Sequence, residues 1–224
     1  MSLAMRTVRM RIAIATVVVL GGAMGTAVSS TSASASPTVT IHGQATNMNP
    51  CTTTLNPPVT GPTASTLKVR ISSDAAPEPH HAKPITLSNT QVAIAGPSAF
   101  LLQAYEAGIV ANGQAIPATL ALEVAGSNTT QGLQAYPVID ASPTVTVHDP
   151  DGIPHSGDET VDPLRFAKAL PDTSWNSTRP GRPVHFTEAS AVLTLTVEVG
   201  GTPFVATQTC GVAKPRPFLV VDGR

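Results

Sequence analysis

Charge is scarce in this chain. Of 224 residues, 13 are Lys or Arg and 14 are Asp or Glu, for a net charge of −1. So sparse and balanced a charge gives no electrostatic footprint for nucleic acid or for an anionic membrane surface. Aromatics are scarcer still, with one Trp, two Tyr and five Phe, which leaves few rings for the stacked platforms that sugar recognition requires. Cysteine is limited to Cys51 and Cys210. With no suitable His partner beside them, the two make a poor zinc site. No Gly-x-Ser-x-Gly elbow occurs, which removes the usual signature of a serine hydrolase. No internal repeat is visible.

The N-terminus is the clearest positive signal. Arg6, Arg9 and Arg11 stand without any acid, an apolar run extends from Ile12 to about Ala27, and small residues end in Ala33-Ser34-Ala35. This order is that of a secretory signal peptide over residues 1–35, with cleavage after Ala35. The apolar run is short and rich in Gly and Ala for a membrane span, and no second such run follows, so the mature chain is expected to have no transmembrane span. Cleavage leaves ten basic residues against 14 acids in residues 36–224. That length suits a single domain with a real core. An exported chain matures in an oxidising compartment, where Cys51 and Cys210 are expected to form a structural disulfide rather than stay as free thiols.

Strand patterns dominate the mature part. Leu193, Leu195, Val197 and Val199 alternate with Thr194, Thr196 and Glu198, and Gly200-Gly201 then separates this run from Thr202–Thr209. Alternation on both sides of a Gly-Gly pair reads as a β-hairpin. Similar runs occur at 38–44, 67–71, 85–95, 119–124, 144–148 and 218–221. One helix is predicted from Ala99 to Ala107, with Ser98 as cap, Gly108 as stop, and Leu101, Leu102 and Tyr105 turned to the sheet. Short strands and frequent turns predict an all-β antiparallel sandwich, immunoglobulin-like or related, with one short crossover helix. Two stretches read as loops, Asp74–Pro84 with its His80-His81 pair, and the Pro-rich Asp149–Pro183, the latter holding a short strand around Val161–Phe166.

Cys51 near the mature start, Ile85-Thr86-Leu87 through the Ser98–Gly108 crossover, Gly113-Gln114-Ala115 before a strand, and Ala191–Cys210 at the end together resemble secreted actinobacterial β-sandwich domains of unknown function, which carry a signal peptide and a long-range Cys pair. The resemblance implies a sandwich fold and an extracellular location. It transfers no catalytic residue, and the long segment after His148 departs from its pattern.

Candidate chemistry is confined to loops. His148, Asp149, Asp151, His155, Asp158, Glu159 and Asp162 form an oxygen-rich stretch, of which Asp149, Asp151, Asp158 and Glu159 are the candidate calcium ligands. Their spacing matches no EF-hand, and Asp149-Pro150-Asp151-Gly152 is itself a turn sequence. His155-Ser156-Gly157-Asp158 holds the residue types of a triad, but sequence neighbours do not converge as a triad must. Trp175, in the polar run Thr173-Ser174-Trp175-Asn176, is a candidate surface contact, against the alternative that it folds back over the sheet end. The aliphatic, ring-poor composition also permits an apolar cavity. The expected function is therefore a secreted, non-enzymatic binding or cell-surface protein with no cofactor, whose partner is a cell-envelope or extracellular protein or an apolar ligand. A carrier of a lipid or small apolar molecule is the first alternative, and a secreted hydrolase the second.

Overall fold

The computed structural model describes residues 40–56, 58, 64–76, 84–179 and 181–222. The predicted signal peptide and the His80-His81 pair lie outside the described residues. Among these residues no helix is long and apolar enough to cross a membrane.

The chain forms β1 (Ile41–Asn56), β2 (Ala64–Ala75), β3 (Ile85–Ala95), α1 (Ser98–Glu106), β4 (Ala118–Gly126), β5 (Leu133–Ala135), β6 (Ile139–Ala141), β7 (Val147–His148), β8 (Thr160–Val161), β9 (Arg165–Ala169), β10 (Thr173–Trp175), β11 (Val184–Val199), β12 (Thr202–Gly211) and β13 (Pro217–Val221). All pairings are antiparallel. Eleven of the strands join one sheet in the order β10-β3-β2-β1-β12-β11-β4-β5, with β9 also on β3, β6 also on β4 and β13 also on β11, while β7 and β8 pair separately. The all-β, sandwich-like class is thus as expected, but its walls belong to one continuous sheet that curls on itself. At one end the outer rows meet. Gln134 on β5 donates through Nε2 to the Ser174 carbonyl of β10 at 2.9 Å, and residues 128–130 exchange backbone hydrogen bonds with 176–178.

Alternation fixes which face is inside. Leu67, Val69 and Ile71 of β2, Leu120, Leu122 and Val124 of β4, and Leu193, Leu195 and Val197 of β11 are all buried. The predicted hairpin is present, and Gly200 and Gly201, with φ of +57° and +80°, make the turn whose twist suits paired strands. The polar patch Ser88-Asn89-Thr90 does not end β3. It forms a β-bulge opposite Ser72–Asp74, with Asn89 at φ +50°, so the inward positions step from Ile85 and Leu87 to Thr90, Val92 and Ile94. A bulge inserts one residue and so resets the alternation. The predicted helix is α1, with Leu101, Ala104 and Tyr105 buried; Pro97 rather than Ser98 occupies the cap position and makes no side-chain cap.

The middle row of the sheet is interrupted. β12 lies between β1 and β11, pairing Cys51–Asn56 on one side and Ser190–Val199 on the other. It ends at Gly211, and β13 then resumes beside Val184–Thr187. β1 thus has two different neighbours in turn, β13 near Gly43 and β12 along Cys51–Asn56. Pro50, which lacks an N–H, falls one residue before the β12 ladder begins, which is where a strand tolerates proline. β13 crosses close to Gly43, where an added Cβ would collide with the Phe218 carbonyl oxygen and the Leu219 side chain. Gly43→Ala is therefore expected to push β13 off β1 and to destabilise the domain by about 1–3 kcal/mol, the usual range for overpacking. Denaturant titration of the variant against wild type measures this.

Candidate functional site

An apolar hollow lies under α1. Its walls come from Phe100, Leu101 and Ala104 of the helix, Ala107, Ile109 and Val110 just after it, Leu55 at the end of β1, Leu195 and Val197 of β11, and Phe204, Val205 and Ala206 of β12. Ile116, Asn56 and Gln103 complete the lining, and the cavity volume is about 210 Å³. The hollow thus lies between α1 with the segment after it and the end of the β11–β12 hairpin. Leu101, Ala104, Val110, Ile116, Leu195 and Ala206 are buried, whereas Asn56 and Gln103 are exposed. The two amides therefore stand at the mouth. An engineered aliphatic cavity of about 150 Å³ holds benzene, so this one has room for a small ring or a short alkyl chain.

The acidic loop brings three of its four candidate ligands together. One carboxylate oxygen from each of Asp149, Asp151 and Asp158 lies within 4.8 Å of the others. These side chains also serve as turn formers. The Gly152 N–H donates to Asp149 at 2.7 Å, the Ile153 N–H to Asp151 at 2.8 Å, and the Ser156 hydroxyl to Asp158 at 2.7 Å. Glu159 is not part of the trio and accepts the N–H groups of Ser156 and Gly157. Burial pushes its carboxyl up, but the backbone N–H donors of the 155–159 loop outweigh this and hold it below the usual glutamate range. The triad-like residues do not converge. The His155 ring packs against Tyr105 of α1 with centroids 4.8 Å apart, while Ser156 bonds Asp158. His148 and Asp162 face each other across the β7–β8 pair at 3.3 Å.

Trp175 is no surface contact. It is fully buried, sits edge-on to Phe186 at 5.2 Å and donates its indole N–H to the Thr173 hydroxyl. The polar residues around it are the exposed positions of a short edge strand, and the indole takes the inward one. Gly126 makes room for it, since a Cβ there would lie 2.9 Å from the ring.

A second buried polar group escaped the sequence reading. Glu188 of β11 is 1% exposed, and Asn47 and Asn49 of β1 are 6% and 0% exposed. Asn47 donates through Nδ2 to Glu188 Oε2 at 2.7 Å, and Asn49 to Oε1 at 2.5 Å. The three side chains bridge β1 and β11 across the gap between β12 and β13, where no strand supplies a ladder. Burial pushes the Glu188 carboxyl above the ordinary glutamate range, although the two amides pull it down. Beside this bridge lies the Cys51–Cys210 disulfide, which joins directly opposed residues of β1 and β12 with Cα atoms 4.0 Å apart. The chain is thus a disulfide-bonded, curled antiparallel β-domain, and no protein-family model, curated protein or solved structure matches it.

Proposed function

We propose that this chain is an exported, non-enzymatic binding protein and that its ligand is a small apolar molecule held under α1. The observation that carries this reading is the 210 Å³ hollow with its almost wholly aliphatic and aromatic walls. Water gains few hydrogen bonds in such a space, so an apolar ligand replaces it favourably. The signal-like N-terminus and the disulfide favour an extracellular setting, in keeping with the resemblance to secreted actinobacterial sandwich domains. The hollow is too small for a whole membrane lipid, which narrows the carrier reading to a ring compound or a short chain.

Native mass spectrometry of the protein recovered from its source tests this. The expected result is a non-covalent adduct of roughly 100–200 Da, the mass of a molecule that fits such a cavity, lost under denaturing conditions. Ala107, exposed at the mouth, offers a way to close it. Ala107→Leu is expected to remove the adduct while leaving the melting temperature unchanged or slightly raised, because the added carbons fill empty space. A bare native spectrum, or an adduct indifferent to Ala107→Leu, sinks the reading.

A further inference from the structure

Selectivity in this hollow presupposes that it is a binding site, as proposed above. Three features of the lining bear on what it selects. No lining side chain is charged. The polar side chains among them are Asn56 and Gln103, one at the end of β1 and one on α1. Both are exposed, so they border the mouth, and the buried part of the wall offers no side-chain hydrogen-bonding group. A charged group drawn toward such a wall loses its water and finds no counter-ion. A hydroxyl or amide loses less and recovers a hydrogen bond from a neutral amide at the rim, since Asn and Gln each offer both a donor and an acceptor.

We infer that the site selects uncharged amphiphiles: an apolar ring or short chain of about ten non-hydrogen atoms or fewer, carrying one hydroxyl, carbonyl or amide that rests between Asn56 and Gln103. The apolar body supplies the affinity. The rim pair supplies orientation and the discrimination against carboxylates and amines of the same shape.

Four matched probes, toluene, benzyl alcohol, benzoate and benzylamine, are titrated into the purified protein at neutral pH, with binding read from saturable shifts of backbone amide resonances in α1 and β12. Toluene and benzyl alcohol are expected to bind, and benzoate and benzylamine to bind at least about tenfold more weakly than benzyl alcohol. In the Asn56→Ala/Gln103→Ala double variant, benzyl alcohol is expected to lose about three- to tenfold in affinity, the worth of one hydrogen bond, and toluene nothing. Both residues are exposed, so the variant keeps its fold. Charged probes that bind within threefold of benzyl alcohol overturn the selectivity, as does a double variant that weakens toluene and benzyl alcohol alike. Failure of both toluene and benzyl alcohol to bind overturns the binding site itself.

Discussion

Reducing the Cys51–Cys210 disulfide, or replacing both cysteines with alanine, is expected to cost up to about 5 kcal/mol of folding stability, the loop-closure value for a cross-link of this span. The bond closes a loop of 159 residues and so removes a large share of the conformations open to the unfolded chain. It also sits where the sheet most needs a fixed register. The two cysteines are the first residues of the β1–β12 ladder, directly before the gap that the side chains of Asn47, Asn49 and Glu188 fill. Losing the bond therefore frees both strands at the edge of an interruption. Guanidinium unfolding with and without reductant measures the effect. A loss of under about 1 kcal/mol would mean that the unfolded chain already holds these strands together, since a disulfide acts largely through the unfolded state.

How much of this was legible in the sequence differs from element to element. The β11–β12 hairpin was readable because apolar and polar residues alternate along Leu193–Val199 and Gly200-Gly201 marks the turn. The disulfide was readable from the presence of two cysteines behind a signal-like N-terminus. The edge strands β9 and β10 were obscured because Arg165–Ala169 is almost wholly exposed or half-exposed, so burial imposes no alternation on it. Trp175 sits among polar neighbours because an edge strand needs only every second residue inside, and of the two readings its sequence allows the buried one holds. The alternation predicts the first strand only to Gln44, since Asn47, Asn49 and Pro50 disfavour strands on propensity. Yet 47, 49, 51 and 53 keep one inward phase, and Glu188 likewise follows Val184 and Phe186 at intervals of two. Polar residues in phase with a buried face were the available signal for the Asn–Glu bridge. The pocket had only a compositional signal, the aliphatic and ring-poor make-up of the chain, because its lining is gathered from β1, α1, β11 and β12, which are distant in sequence.

The bridge predicts a distinctive response to pH. Among the described residues Glu188 has no cation in ion-pair reach, and the nearest acid on β4, Glu123, is taken up by the Ser190 hydroxyl at 2.7 Å. A glutamate buried this way holds its proton to higher pH than it does in the unfolded chain. Above the unfolded value of about 4.3, the native state then binds more protons than the unfolded state, so stability contributed here is complete below that pH and is lost as pH rises through the raised native value. Asp74 acts in the opposite direction. The His42 ring bond, with Asn89 beside it, holds its carboxyl below the usual range, so its contribution is present above the unfolded value and is lost as pH falls through the lowered native one. Glu188→Gln separates the two. The Asn49 Oδ1 atom is buried without a partner, and turning that amide over lets it accept from the new Gln Nε2–H while Asn47 still donates to Oε1. The variant is expected to match wild type within about 1 kcal/mol below pH 4, to exceed it as pH rises, and to keep only the acid-side loss. Glu188→Ala leaves two buried amides unsatisfied and is expected to cost about 2–5 kcal/mol at every pH. Chemical denaturation of the three proteins from pH 3 to pH 9 reads these differences. Parallel curves for wild type and Glu188→Gln would show instead that Glu188 ionises as readily in the fold as in the open chain, and that the Asn47–Asn49–Glu188 bridge carries a charge.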